Sequence, residues 1–353
     1  MLNRPDKVIL VSGAVAIALS GVTRYAHANS VLAFACSAAA VALLAALVGR
    51  SVEQLGDRFG AGATGVLQSA LGNLPELFIS FFALRAGLLT VVQSAIIGSI
   101  LANLLLVLGA AFLVGGLRHG TQRFEKSRAR DTCVLLALAT AALVLPSLAK
   151  FTHTPAEPHV RVLSDIVAVV LIVVFALSVP FSLRRGDGGA GAASEPTHEP
   201  PRWPTWLAVA MLAAAGVAAG LVSDWFVTAL TPAMASLHIS QTFAGLVVVA
   251  IAGNAIENVV GIQLAAKNQA DFALSVIINS PLQIALVLAP ALVLLSLFTA
   301  TTLTLVFAPM LVVAVVAAVL VVSLAVFDGE STWLEGATLI GLYVIIATVF
   351  WWG

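Results

Sequence analysis

The sequence predicts an all-α polytopic membrane protein of about eleven transmembrane helices, built as one extra N-terminal helix and two inverted five-helix repeats. Three observations carry this. Of 353 residues, 60% are apolar and 10% charged, against about 25% charged in an average globular chain. The apolar runs are continuous and about 20 residues long, the length of a spanning helix, with none of the alternation of barrel strands. A Gly-Asn-x-x-Glu motif occurs twice, at 72–76 and 253–257.

The runs fall at 8–25, 30–49, 64–86, 91–117, 132–149, 163–183, 204–223, 241–266, 272–298, 303–326 and 334–352. The first follows Arg4 and Lys7, and Ala26-His27-Ala28 fits an A-x-A cleavage site. The run is long for a signal h-region, so a retained helix over 1–28 is expected. Residues 29–183 then form the first five-helix repeat. The stretch 184–203 holds Arg184, Arg185, a Gly/Ala tract and Pro196, Pro200 and Pro201, and reads as a flexible linker. Residues 204–353 form the second repeat. Cys36 and Cys133 lie in apolar runs and read as packing residues.

Basic residues set the orientation. Arg4, Lys7, Arg50, Arg58, the group from Arg118 to Arg130, Arg184, Arg185, Arg202 and Lys267 fall on one side. Arg24, Arg85, Lys150 and Arg161 fall on the other. The positive-inside rule then places the N-terminus and linker in the cytoplasm and the C-terminus outside.

The two motif copies are offset by 181 positions, from Gly72 to Gly253. The same offset pairs Asn73 with Asn254, Glu76 with Glu257, Ser94 with Ser275 and Ser99 with Ser280. It covers five spans, an odd number, so the second copy enters the membrane from the opposite side. Inverted repeats are typical of secondary transporters, with the site at the repeat interface near the midplane.

Glu76 and Glu257 are the acidic residues deep in the spans. Each costs about 2.5–3.5 kcal/mol on insertion scales. With no intramembrane Lys or Arg to pair with, they call for a cation or protons. Gly72 and Gly253 permit helix breaks, and Pro75 removes a backbone donor before Glu76. A broken helix frees carbonyl oxygens that line a cavity. Asn73, Ser99 and Asn103 in one half, and Asn254, Ser280 and Gln283 in the other, add further polar groups. Oxygen ligands suit hard cations such as Ca²⁺. Burial disfavours a charged carboxyl, so protons and a divalent cation compete to neutralise the pair. A site that crosses the membrane with either load, but not empty, is an exchanger.

Other classes fit poorly. The balance of 17 basic and 17 acidic residues argues against a nucleic-acid partner. No G-x-x-x-x-G-K-[S/T] nucleotide motif appears, nor the H-E-x-x-H of a metalloprotease. Six histidines read as solvated loop or helix-end residues. Asp224 and Trp225 follow the seventh run, with Trp225 as an interfacial anchor. No enzymatic activity and no cofactor are expected. The expected partners are membrane lipid and the transported ions.

The stretches G-N-L-P-E at 72–76, V-V-Q-S-A-I-I-G-S-I-L-A-N at 91–103, G-N-A-I-E at 253–257 and S-P-L-Q-I-A-L at 280–286 resemble the cation/Ca²⁺ antiporter superfamily. Within it they resemble the CAX-like H⁺/cation exchangers, as does V-E-Q-L-G-D-R-F-G at 52–60. The resemblance implies a Na⁺/Ca²⁺ exchanger-like fold and Ca²⁺/H⁺ exchange, with the motif glutamates as cation ligands and proton acceptors. It implies that Gln93 and Gln283 contribute to the site or its gating. It also implies that the helices near 30–49 and 204–223 slide to alternate access. The sequence departs from the family at Asn258, where His is frequent, and in a linker without an acidic run. Pro75 is similar to the Na⁺/Ca²⁺ exchanger branch, so Na⁺(K⁺)/H⁺ or Na⁺/Ca²⁺ exchange is the alternative. Short loops and the lack of an organelle transit peptide point to a prokaryotic inner membrane.

Overall fold

The computed structural model describes residues 3–26, 29–59, 71–186 and 202–352, with residues 5, 56–59, 179–186, 256 and 257 described by backbone alone. Among the sequence expectations, linker residues 187–201, the first part of the third run and the side chains of Glu257, Asp57 and Arg58 lie outside the described residues.

The described chain is helical almost throughout. The helices are α1 (Arg4–Tyr25), α2 (Ser30–Phe59), α3 (Leu74–Arg85), α4 (Leu89–His119), α5 (Lys126–Phe151) and α6 (Val160–Gly186). Then follow α7 (Thr205–Leu237), α8 (Gln241–Gly253), α9 (Ala255–Ala266), α10 (Ala270–Ser296), α11 (Pro309–Ala325) and α12 (Trp333–Val349). Among the described residues seven helices are long and apolar enough to cross a membrane, and α8 and α9, bent by 63° at their break, make an eighth if the pair is one span. Helices α11 and α12 have 17 residues each, the lower end of the spanning range of about 17–25.

The chain divides into two compact units, residues 1–82 with 172–238, and residues 83–171 with 239–353. In the first unit α1, α2 and α7 pack together. Asn3 and Asp6 form a capping box that starts α1. Ser20 and Ser37 hydroxyls meet at 2.8 Å between α1 and α2, and the rings of Phe34 and Phe226 join α2 to α7 at 4.9 Å. At one end Trp203 is buried. Its Nε1 donates to Asp6 Oδ2 at 3.0 Å, and the Arg202 and Trp203 amides donate to Gln54 Oε1.

In the second unit α4 and α10 form the interior. The most apolar stretch of α4 is 83% buried and that of α10 67%, against 17% for α6. Close approach of backbones sets α4 against α8. A Cβ on Gly98 would collide with the Leu246 backbone, and one on Gly245 with the Val91 carbonyl. Both helices widen locally to π turns, at Ala102–Val107 in α4 and Ile284–Leu288 in α10. In α4 the Asn103 side chain inserts its Nδ2 onto the Ser99 carbonyl at 2.9 Å. In α10 Pro281 lacks the amide that an α ladder needs. A two-stranded antiparallel ladder, β1 (Gln122–Arg123) with β2 (Glu330–Ser331), ties the α4–α5 and α11–α12 loops. Gln122 Nε2 reaches Ala265 O and Asn268 Oδ1 at the end of α9.

The structure moves four expected boundaries. The tenth span begins at Pro309, not 303, because proline presets the first helical turn and Ala308 caps it in extended geometry. Helix α7 runs on through exposed Asp224 and half-buried Trp225 to His238, a left-handed cap at φ 55°. Trp225 packs edge-on against Tyr25 at 6.0 Å. Helix α6 extends to Gly186, and Arg202 and Trp203, expected at the end of the flexible linker, are anchored.

Candidate cation site

The motif copies share one local construction. In the first unit Gly72 and Asn73 form a turn and α3 starts at Leu74, so Glu76 is its third residue. In the second unit α8 ends at Gly253, Asn254 forms the break, and Glu257 is the third residue of α9. The Leu77 amide donates to Asn73 O at 2.9 Å, and its equivalent, Asn258, donates to Asn254 O at 3.1 Å. A helix N-terminus carries about half a positive charge. That partial charge offsets the cost of a buried carboxylate one turn in.

Glu76 is 1% exposed and Asn73 8%. Pro75 between them is buried. In the second unit Ser99, Asn103, Asn254 and Ser280 are buried. Asn254 Nδ2 donates to Ser99 Oγ at 3.1 Å and to Ala250 O at 3.0 Å. This bond joins the α8–α9 break to the middle of α4. Helix α10, which carries Ser280, packs against α4 and its π turn. Among the described residues, Asn103 Oδ1 and Ser280 Oγ are buried and have no hydrogen-bond partner. Buried oxygens in this state are suited to a cation, a proton carrier or water. Among the described residues no three His, Cys, Asp or Glu side chains gather as a metal cluster. The second unit therefore offers neutral amide and hydroxyl oxygens beside the backbone position of Glu257.

Gln93 stands apart from that group. Its Nε2 donates to Thr304 O at 3.1 Å and Val306 O at 2.9 Å. Gln283 is half-buried at the last turn before the π segment of α10. Two histidines have specific partners: His119 Nε2 bonds Ala266 O at 2.9 Å, and His153 Nδ1 bonds Glu157 Oε2 at 2.9 Å.

The family model described as sodium/calcium exchanger protein matches residues 29–184 and again 207–352. The chain belongs to the sodium/calcium exchanger family. Its relatives are secondary cation exchangers and not enzymes. The exchanger is 35% identical to a Ca(2+)/H(+) antiporter of Bacillus subtilis, over 98% of this chain and 99% of that protein. It is 33% identical to a Ca(2+)/H(+) antiporter of Aphanothece halophytica, over 95% of this chain and 94% of that one. The solved structure of native YfkE superposes with a TM-score of 0.83 at 33% identity, covering 97% of this chain and 99% of that chain. These likenesses span nearly the whole length of the exchanger.

Sequence reasoning missed the partners of Gln93 and the fastening of α9 by His119 and Gln122. A cluster of threonines before Pro309 was the one local sign of an irregular segment there.

Proposed function

We propose that this exchanger is a secondary active antiporter that moves Ca²⁺ against protons by alternating access. The observation that carries the reading is full-length likeness, at 33% and 35% identity, to two proteins named Ca(2+)/H(+) antiporters. In this reading Glu76 and Glu257 are the shared cation and proton carboxylates, and Asn73, Asn254, Ser99, Asn103, Ser280 and Gln283 supply neutral groups around them. Ca²⁺ favours six to eight oxygen ligands at about 2.3–2.6 Å, and amide, hydroxyl and carboxylate oxygens are of that kind. Gly72, Pro75 and Gly253 keep the breaks open so that backbone carbonyls can join the set. Ca²⁺ and protons are transported substrates and not cofactors.

The mechanism rests on electrostatics. Two bare carboxylates in apolar surroundings are strongly disfavoured. Bound Ca²⁺ removes that penalty, and so do protons, but the two loads exclude each other. Turning over with one load and returning with the other couples the fluxes.

The reading includes two inverted repeats over 29–183 and 204–353, with 1–28 as an extra helix. Support comes from the family match to each half, and from π turns and helix breaks that recur at the 181-residue offset. We place the N-terminus and linker in the cytoplasm of a prokaryotic inner membrane, on the distribution of basic residues.

The test is proton flux in proteoliposomes under an imposed pH gradient, with Ca²⁺, Na⁺ and K⁺ added separately. Ca²⁺-driven flux is expected in the wild type and its loss in Glu76→Gln and Glu257→Gln. A response to Na⁺ or K⁺ alone would move the protein to monovalent exchange. Intact coupled exchange in either variant would remove the carboxylate assignment.

A further inference from the structure

Between α10 and α11 the chain runs without helix through residues 299–308. Leu303, Leu305 and Phe307 are buried, and Thr304 and Val306 are half-buried. That alternation is the mark of extended backbone. Extended backbone inside an apolar protein has no helical ladder for its polar groups, so they need partners from elsewhere.

Side chains from separate helices take them up. Ser296 Oγ of α10 accepts from Leu303 N at 2.8 Å, and Ser164 Oγ of α6 accepts from Leu305 N at 3.0 Å. Ser147 Oγ of α5 accepts from Phe307 N at 2.9 Å and donates to Leu305 O at 3.0 Å. Gln93 of α4 donates to the carbonyls of Thr304 and Val306. The segment is a strap, and α4, α5, α6 and α10 are each fastened to it by one side chain.

We infer that Gln93 is a positioning residue that acts through this strap, and not an oxygen ligand of the transported cation. Its amide nitrogen faces two carbonyl oxygens. The reversed amide would bring three oxygens together, so the strap fixes which end of the side chain it meets. Gln93 precedes Ser99 by six residues, about 9 Å along the helix axis. Helix α4 is thereby indexed against the strap, and the Ser99 hydroxyl against Asn254. The inference rests on the reading that Ser99 and Asn254 belong to the transport site.

Chemistry separates a strap donor from a cation ligand. The strap needs N–H or N⁺–H groups, and a cation needs oxygen. Lysine donates and offers no oxygen, whereas ionised glutamate offers oxygen and does not donate. Gln93→Lys, Gln93→Glu and Gln93→Leu are compared in proteoliposomes by Ca²⁺-dependent proton flux over a Ca²⁺ titration, with Ser147→Ala as a second strap variant. Gln93→Leu and Gln93→Glu are expected to raise half-saturating Ca²⁺ about tenfold, the scale of one buried acceptor left bare. Gln93→Lys is expected to raise it by less than about threefold, because its ammonium can still donate to the strap carbonyls. Ser147→Ala shifts it in the same direction, and its combination with Gln93→Leu shifts it by less than the product of the two. Gln93→Glu recovers at low pH, where its carboxyl becomes a donor. A Gln93→Glu variant that outperforms Gln93→Lys would overturn the inference, as would an unchanged Ca²⁺ dependence in Gln93→Leu.

A second readout does not depend on transport. Amide hydrogen exchange over 303–307 in the purified protein speeds up in Gln93→Leu and slows again in Gln93→Lys. Unaltered exchange in Gln93→Leu overturns the strap role. Absence of Ca²⁺ flux in the wild type alone counts against the proposed function.

Discussion

Asn254 Nδ2 donates a 3.1 Å hydrogen bond to Ser99 Oγ, linking a residue at the break of one span to the middle of another across 155 positions of sequence. The same nitrogen caps Ala250 O at 3.0 Å. One amide group thus ends α8 and holds α4 beside that end.

Ser99→Ala removes one of these bonds and leaves the other. A neutral hydrogen bond is worth about 0.5–1.5 kcal/mol, so half-saturating Ca²⁺ is expected to rise about two- to tenfold. Asn254→Ala loses both bonds and an oxygen proposed for the site, and is expected to shift further. Ca²⁺ titrations of proton flux rank the two; equal effects would count against the double role of Asn254.

Glycine substitutions separate close helix contacts from open ones. Gly98→Ala and Gly245→Ala place a methyl on the backbone of the facing helix. A cost of about 1–3 kcal/mol is expected from overpacking, seen as a lower melting temperature in detergent. Gly216→Ala on α7 meets no atom within 4 Å. There the gain in chain stiffness is expected to stabilise by about 0.4–1 kcal/mol. A Gly98→Ala protein as stable as wild type would show that α4 and α8 can move apart freely.

Gln122 is buried and serves the end of α9 twice, through Ala265 O and Asn268 Oδ1. Gln122→Ala removes both bonds, leaves Ala265 O with the Asn268 amide alone, and opens space beside Gly115. A loss of about 1–3 kcal/mol is expected, with faster amide exchange in the last turn of α9.

Arg123 and Glu330 pair at 3.1 Å across the β1–β2 ladder, but Arg123 is 82% exposed and Glu330 43%. Solvent screening keeps such pairs at about 0–1 kcal/mol. Arg123→Ala is therefore expected to melt within experimental error of wild type, and a large loss would mean that the ladder depends on this pair.

The spans were legible because apolar composition leaves few ways to read a 20-residue run. The two glutamates were legible for the converse reason: an acid stands out where almost nothing else is charged. Helix ends were harder. A hydropathy pattern stops at Asp224, whereas α7 continues, because an exposed carboxylate at a helix edge reaches solvent without breaking the ladder. Residues 303–308 look like the start of a span, since Leu303, Leu305 and Phe307 are apolar. The polar groups that make an extended strap tolerable come mostly from Gln93, Ser147 and Ser164, distant in sequence, with only Ser296 nearby. For the same reason the motif placed Gln93 near the site, while its partners, 211 and 213 residues away, left no local trace.

The burial of Trp203 has an optical consequence. Trp206, Trp333, Trp351 and Trp352 are exposed on the protein surface, whereas the Trp203 indole is enclosed and donates to the Asp6 carboxylate. Its emission is therefore shielded from quenchers dissolved in either lipid or water. With those four and the half-buried Trp225 replaced by phenylalanine, Trp203 remains as the native tryptophan fluorophore at the point where the linker rejoins the helices. Any step of the transport cycle that lifts this end away from α1 and α2 becomes visible as a red shift, without an attached dye.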